Sequence, residues 1–288
     1  AIPVGANLGG MGTPIGTPPN VFALKYLNDP AGLNTGITFS HWMMVMVPLV
    51  IILLIIAWRL ILHFFPFTQK TIKIEIAGEV SHNWRTVVVA ITFLLTIFLW
   101  IKGKDLFGIN ANTVAMLPIA VFAFCGVITA KDLQEIDWSV IWMVAGGFAL
   151  GNAMNGTGLA ENAIKSIPFG AWNPVVILVI ACLICYLLSN FISNTATAAL
   201  LLPILAVVCK GMGDGLNMIG GTVTVLVGIA IAASAAMSLP ISTPPNAIAF
   251  STGLVKQNDM LKVGVSVGIV TLILGIGALA LFSKLGVF

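Results

Sequence analysis

Residues 242–246 read Ser-Thr-Pro-Pro-Asn, and residues 16–20 read Gly-Thr-Pro-Pro-Asn. The two copies stand 226 residues apart, and their flanks agree too, Asn20-Val21-Phe22-Ala23 against Asn246-Ala247-Ile248-Ala249. Paired prolines remove two amide donors and push the preceding residue out of the helical region. The apolar stretch Gly220 to Gly253 is therefore predicted to be a broken helix, unwound between Leu239 and Asn246. Backbone left unpaired at membrane depth is tolerated only where protein buries it or it lines a cavity. A matched pair of such elbows predicts a site between two structural repeats.

That the chain lies in a membrane follows from its composition. Of 288 residues 59% are hydrophobic and 8% charged, against about 25% charged in an ordinary soluble domain. No charge falls between Thr86 and Ile101, between Leu106 and Ala130, or between Ser166 and Cys209. A hydrocarbon core of roughly 30 Å asks a helix for about 20 apolar residues. The basic residues are scattered and form no stripe, which excludes a nucleic-acid surface. Cys182 and Cys185 form a C-x-x-C within an apolar helical run, with no second pair and no nearby His. Packing, and not metal or redox chemistry, is the expectation there. Ala1 opens inside an apolar segment with no initiator Met, so the chain is expected to begin in mid-protein.

Spans are predicted at His41–Phe65, Thr86–Lys102, Asn112–Ala130, Trp138–Met154 and Leu261–Leu285. Trp42, Trp84, Trp100 and Trp138 fall near their ends, where amphipathic rings favour the membrane interface. Pro66 to Arg85 reads as a solvated connector, Lys131 to Asp137 as a charged turn or interfacial helix, and Leu159 to Ile167 as a short interfacial helix.

One further segment is no simple span. Residues 174–210 are too long for one crossing and too short for two with an outside loop. A polar cluster, Ser189-Asn190-Phe191-Ile192-Ser193-Asn194-Thr195-Ala196-Thr197, occupies the middle. A re-entrant hairpin turning at this cluster resolves both facts. The predicted fold is an all-α integral membrane protein, an inverted-repeat transporter with a re-entrant hairpin and broken helices. Residues 1–40 end the first repeat, 41–137 hold scaffold spans and a connector, and 138–288 form the second repeat. Four spans and a hairpin between the elbows make the chain traverse them in opposite directions, as an axis in the membrane plane requires. By the same offset, the counterpart of the hairpin falls before Ala1.

No Asp, Glu, His, Lys or Arg lies in the hairpin cluster or either elbow. A proton relay needs an intramembrane titratable group, and so does general acid–base catalysis. The expectation is a transporter and not an enzyme, with no organic cofactor. Hydroxyls, amides and freed carbonyls suit sodium, while the N-termini of half-helices favour anions. The blander alternative has Ser193, Asn194 and Thr195 merely capping a hairpin helix.

At these residues the chain resembles the divalent anion–sodium symporter family, which includes dicarboxylate and citrate transporters. The resemblance rests on Ser193-Asn194-Thr195-Ala196-Thr197-Ala198-Ala199 and on the two Thr-Pro-Pro-Asn elbows, and it implies the latter part of a family member. Carried across, it implies substrate contacts at Ser193, Asn194, Thr195, Thr243 and Pro244, and at Thr17 and Pro18 of the first elbow. It implies one sodium held by Ser189 and Asn194 with the carbonyls of Ile192 and Ser242. A second sodium site would be incomplete, keeping only the Gly16 carbonyl. It further implies a homodimer in a bacterial inner (plasma) membrane, in which a transport domain moves as an elevator against a fixed scaffold.

The resulting expectation is a sodium-coupled transporter of small dicarboxylates of the succinate, malate and fumarate class. The alternatives are a dicarboxylate exchanger or a sulfate carrier on the same scaffold, and a channel-like or purely structural membrane subunit. Seven basic residues on one face against six on the other leave orientation open.

Overall fold

A computed structural model describes residues 1–29, 33–66, 83–135 and 173–284, together with Trp138, Trp142, Ala149, Ala153 and Thr157. The connector centred on residues 67–82 and most of 136–172 lie outside the described residues, and with them the predicted span Trp138–Met154 and the helix at 159–167. All regular structure among the described residues is helical. Five of its helical stretches are long and apolar enough to cross a membrane: Phe39–Phe64, Trp84–Gly103, Pro174–Phe191, Asn194–Ile219 and Gln257–Ser283.

The chain divides into two compact units, residues 1–66 with 141–288, and residues 67–140. In the second unit α4 (Trp84–Phe107) pairs with α5 (Ala111–Phe124). Asn110 caps α5 by accepting from Thr113 N at 2.9 Å. Gly126, at φ 61°, ends it in a left-handed turn, with Val127 N donating to Phe122 O at 2.8 Å. The span predicted over Asn112–Ala130 is thus shorter than expected, because that glycine turns the chain out of the helix. Its 14 residues reach about 21 Å at 1.5 Å each. The short α6 (Ala130–Gln134) begins where the Asp132 carboxylate accepts from Thr129 Oγ1 at 2.6 Å and from Thr129 N at 2.8 Å. Those hydrogen bonds, the hydroxyl's first, hold the Asp132 carboxyl below its ordinary value.

The first unit is built around α9 (Gly221–Ala235), in which every residue from Thr224 to Ala235 is buried. A helix apolar on all sides belongs in the interior, and here α1 (Ile2–Gly10), α2 (Pro18–Leu27), α7 (Pro174–Phe191), α8 (Asn194–Met212) and α11 (Gln257–Lys284) surround it. Close approach depends on small residues. A Cβ at Gly264 would stand 2.5 Å from Met237 O, and one at Gly268 would stand 2.6 Å from Tyr186 Oη. Cys182 and Cys185 are buried in this interface, with Cys185 Sγ donating to Ile229 O at 3.5 Å.

Helix α7 runs in the same direction as α9. A Cβ at Gly228 would meet Leu178 and Cys182, while Asn190 reaches Ser238 further along. The 3₁₀ segment Gly213–Ile219, which follows α8 and leads into α9, touches α7. Helix α8 therefore returns to the end where α7 began. Between them lie two extended residues, Ile192 (φ −111°, ψ 158°) and Ser193 (φ −62°, ψ 146°). The long α3 (Phe39–Phe64) packs on α11, and Lys262 Nζ sits 4.5 Å above the Phe64 ring. The end of one helix thus meets the start of the other, and the two run antiparallel.

Candidate functional site

Both elbows are broken helices. In the first, α1 ends at Gly10 and α2 starts at Pro18, behind Thr17 in extended conformation (φ −150°, ψ 143°). In the second, α9 ends at Ala235 and α10 (Pro244–Ser251) starts behind Thr243 (φ −145°, ψ 150°). Breaking a helix frees the carbonyls of its last turn, and the same residue type receives them in each copy. Asn20 Nδ2 donates to Thr13 O at 2.8 Å, Gly10 O at 3.2 Å and Met11 O at 3.4 Å. Asn246 Nδ2 donates to Met237 O at 2.7 Å and Leu239 O at 3.0 Å. Met11 and Met237, like Thr13 and Leu239, are separated by the same 226 residues as the prolines. Another matched bond joins Gly16 N to Thr13 O at 3.2 Å and Ser242 N to Leu239 O at 3.1 Å.

The α7–α8 joint is fastened to the second elbow through Asn190. Its Oδ1 accepts from Ser238 N at 3.0 Å, its backbone O accepts from Ser242 Oγ at 3.0 Å, and its Nδ2 donates to Tyr186 O at 2.8 Å. Ser242 Oγ also accepts from Leu239 N at 3.1 Å. The first elbow meets the second where Asn7 Nδ2 donates to Asn246 Oδ1 at 3.2 Å. Helix α2 packs on α8.

Of the residues singled out in sequence, Ser193 caps α8 in part as the blander reading holds, and Thr243, which that reading did not include, caps α10. Ser193 Oγ accepts from Ala196 N at 3.1 Å, and Thr243 Oγ1 accepts from Asn246 N at 3.4 Å. Two others differ. Ser189 Oγ and Asn194 Oδ1 are buried without a hydrogen-bond partner, as is Thr197 Oγ1 one turn into α8. A buried polar atom left so costs about 1–3 kcal/mol. Thr195 is buried, whereas Ile192 and Pro244 are exposed and Thr17 and Pro18 half-buried. Among the described residues no hydrogen bond reaches the carbonyls of Gly16, Ile192 or Ser242. Gly16 is exposed and lies hard against Gly10, whose carbonyl a Cβ at 16 would strike.

Several residues of this region were visible in the sequence without their roles. Asn20 and Asn246 were part of the repeat and Asn190 part of the polar cluster, but nothing in one dimension shows which carbonyls they face. Trp42 corrects an expectation. It is fully buried, and its Nε1 donates to Met11 O at 3.1 Å. Protein packs around the ring, and the Met11 carbonyl that it meets lies just past the end of the broken α1. Its place 226 residues on is Gly268, where Tyr186 fills the space.

Apolar helices of spanning length, wrapped around two proline-broken helices, place the chain among polytopic membrane transporters. It belongs to the family described as the sodium:sulfate symporter transmembrane region, whose model matches residues 2–287. An uncharacterised transporter of Haemophilus influenzae is 34% identical to it over 93% of this chain and 59% of its own length. The sodium-dependent dicarboxylate transporter SdcS of Staphylococcus saprophyticus is 31% identical over 95% of this chain and 56% of its own. An uncharacterised transporter of Methanocaldococcus jannaschii is 28% identical over 92% and 59%. The chain spans little more than half the length of these relatives.

Proposed function

We propose that this chain belongs to a sodium-coupled secondary transporter of small dicarboxylates, in a bacterial plasma membrane, and carries one complete sodium site and half of the substrate site. The observation that carries the reading is the pair of buried, unpartnered oxygens, Ser189 Oγ and Asn194 Oδ1. They flank the joint that Asn190 ties to the second elbow. A hard cation suits neutral oxygens, and the Ile192 and Ser242 carbonyls supply the rest of the set. Ser193, Asn194 and Thr195 at the head of α8 present N–H groups and hydroxyls to a carboxylate, while Thr243 adds a hydroxyl from the head of α10 and Pro244, which has no N–H, adds ring contact. From the first elbow Thr17 adds a hydroxyl and Pro18 ring contact, and Gly16 O serves an incomplete second sodium site.

The elbows' matched hydrogen bonds and the antiparallel packing of α3 on α11 support an inverted repeat. An elevator-like motion and a homodimer belong to the same reading. The relatives named sodium-dependent dicarboxylate transporters favour a dicarboxylate; the family's description favours sulfate as the rival cargo.

The test is uptake of labelled succinate into proteoliposomes holding the full-length protein. Uptake should require an inward sodium gradient, and a large excess of sulfate should leave it unchanged. Uptake that needs internal dicarboxylate in place of sodium favours an exchanger. Sodium-driven sulfate uptake with no succinate uptake favours the rival cargo.

A further inference from the structure

Two side chains lie outside the set so far assigned to ligands, yet they decide which elbow carbonyls remain for a cation. Asn20 and Asn246 are each about 1% exposed. Each donates its amide hydrogens to carbonyls of the elbow just past the end of the broken helix, in the same register: positions 11 and 13 in one copy, 237 and 239 in the other. The carbonyl three residues beyond, Gly16 or Ser242, receives no hydrogen bond among the described residues. Three carbonyls of the first elbow and two of the second thereby gain a donor, while Gly16 O and Ser242 O, just before the Thr-Pro-Pro-Asn motif's threonine, have none among the described residues. Asn246 adds one thing that Asn20 does not. Its Oδ1 accepts from Asn7, so the clamp of the second elbow is braced by α1 of the first. The position of Asn7 in the second copy is Ala233, and no equivalent brace exists there.

We propose that Asn20 and Asn246 are positioning residues of the two sodium sites, each clamping its elbow in the shape that presents Gly16 O or Ser242 O to the cation. They touch neither sodium nor the anion. This rests on the sodium-coupled reading above. Partners that orient a metal's ligands from behind typically account for 10–100-fold in metal affinity. Removing a clamp is therefore expected to act on sodium first and on the anion only through sodium.

The experiment compares wild type with Asn246→Ala and Asn20→Ala in the full-length transporter. Asn246→Asp and Asn20→Asp, which keep the side chain's shape but lose the donating amide, serve where alanine gives no folded protein. The first readout uses sodium alone. Sodium chloride replaces choline chloride without any anion substrate, and the rise of the thermal unfolding midpoint is followed in detergent. The half-maximal sodium concentration should increase about tenfold or more. The second readout is succinate uptake, where KM at saturating sodium should stay within about twofold while the sodium half-saturation rises in step with the first readout. A wild type that responds to sodium beside folded variants that respond identically would sink the clamp and leave the transporter reading intact. So would variants none of which folds, since the role would then be structural only. A wild type with no sodium response at all would sink the transporter reading and the clamp with it.

Discussion

At the scale of single residues, the site is marked by what is left unsatisfied. Asn194 Oδ1 sits buried with no donor near it, in a region that holds no Lys or Arg. On the sodium-coupled reading proposed above, that acceptor is a cation ligand. Asn194→Ala in the full-length transporter should raise both the sodium half-saturation and the succinate KM, by about ten- to a hundredfold, since a bond to a charged partner contributes about 1.5–3 kcal/mol. Uptake titrated against sodium and succinate separately checks this, and an unchanged sodium dependence removes Asn194 from the site. The polar cluster that holds Asn194 and Ser189 was legible in the sequence because polar residues at membrane depth stand out against their surroundings; which of its oxygens lack a partner was not. Asn7 and Trp42 were not legible. Asn7 meets its partner 239 residues away and Trp42 meets its own 31 residues away, and no local pattern announces a pairing of that kind.

Among elements, the breaks were readable and the packing was not. Prolines 18, 19, 244 and 245 announce where α2 and α10 start, because proline is at home in a helix's first turn and disruptive anywhere later. The end of α5 came earlier than hydropathy suggested, since the left-handed Gly126 is invisible to a count of apolar residues. Which glycines of α11 are pressed against a neighbour likewise depends on the fold. A Cβ at Gly268 would stand 2.6 Å from Tyr186 Oη and 2.9 Å from Ala235 O, whereas one at Gly277 meets nothing within 4 Å. Gly268→Ala should therefore destabilise by about 1–3 kcal/mol through overpacking. Gly277→Ala should be neutral or stabilise by about 0.5–1 kcal/mol through lost backbone freedom in the unfolded chain. Thermal unfolding in detergent compares the two, and equal midpoints would contradict the α9–α11 contact described above.

For the molecule as a whole, the constraint is charge. A helix N-terminus contributes about 0.3–1 kcal/mol to an anion when exposed and up to ~2 when partly buried. Desolvating each charge of a dianion costs several kcal/mol even after relaxation. Two helix ends fall short of that sum, so on the sodium-coupled reading cations are expected to bind first or together with the substrate. An added third charge finds no further partner. Citrate uptake should accordingly fall as pH rises through its third ionisation, while succinate uptake stays nearly flat over the same range. Parallel pH profiles for the two substrates, or tight succinate binding without sodium, would show that charge is held by some other means.

The Asn7–Asn246 bond has a consequence in time. A ribosome adds about 5–20 residues each second, and the two partners are 239 positions apart. Asn7, on the broken helix of the first elbow, is therefore made on the order of 10–50 s before the side chain it braces. The open carbonyls of the first elbow do not wait, since their donors are made within moments of them: Asn20, at most 10 positions on, and Trp42, 31 positions on. A nascent chain stalled before Trp42 would hold that elbow by Asn20 alone.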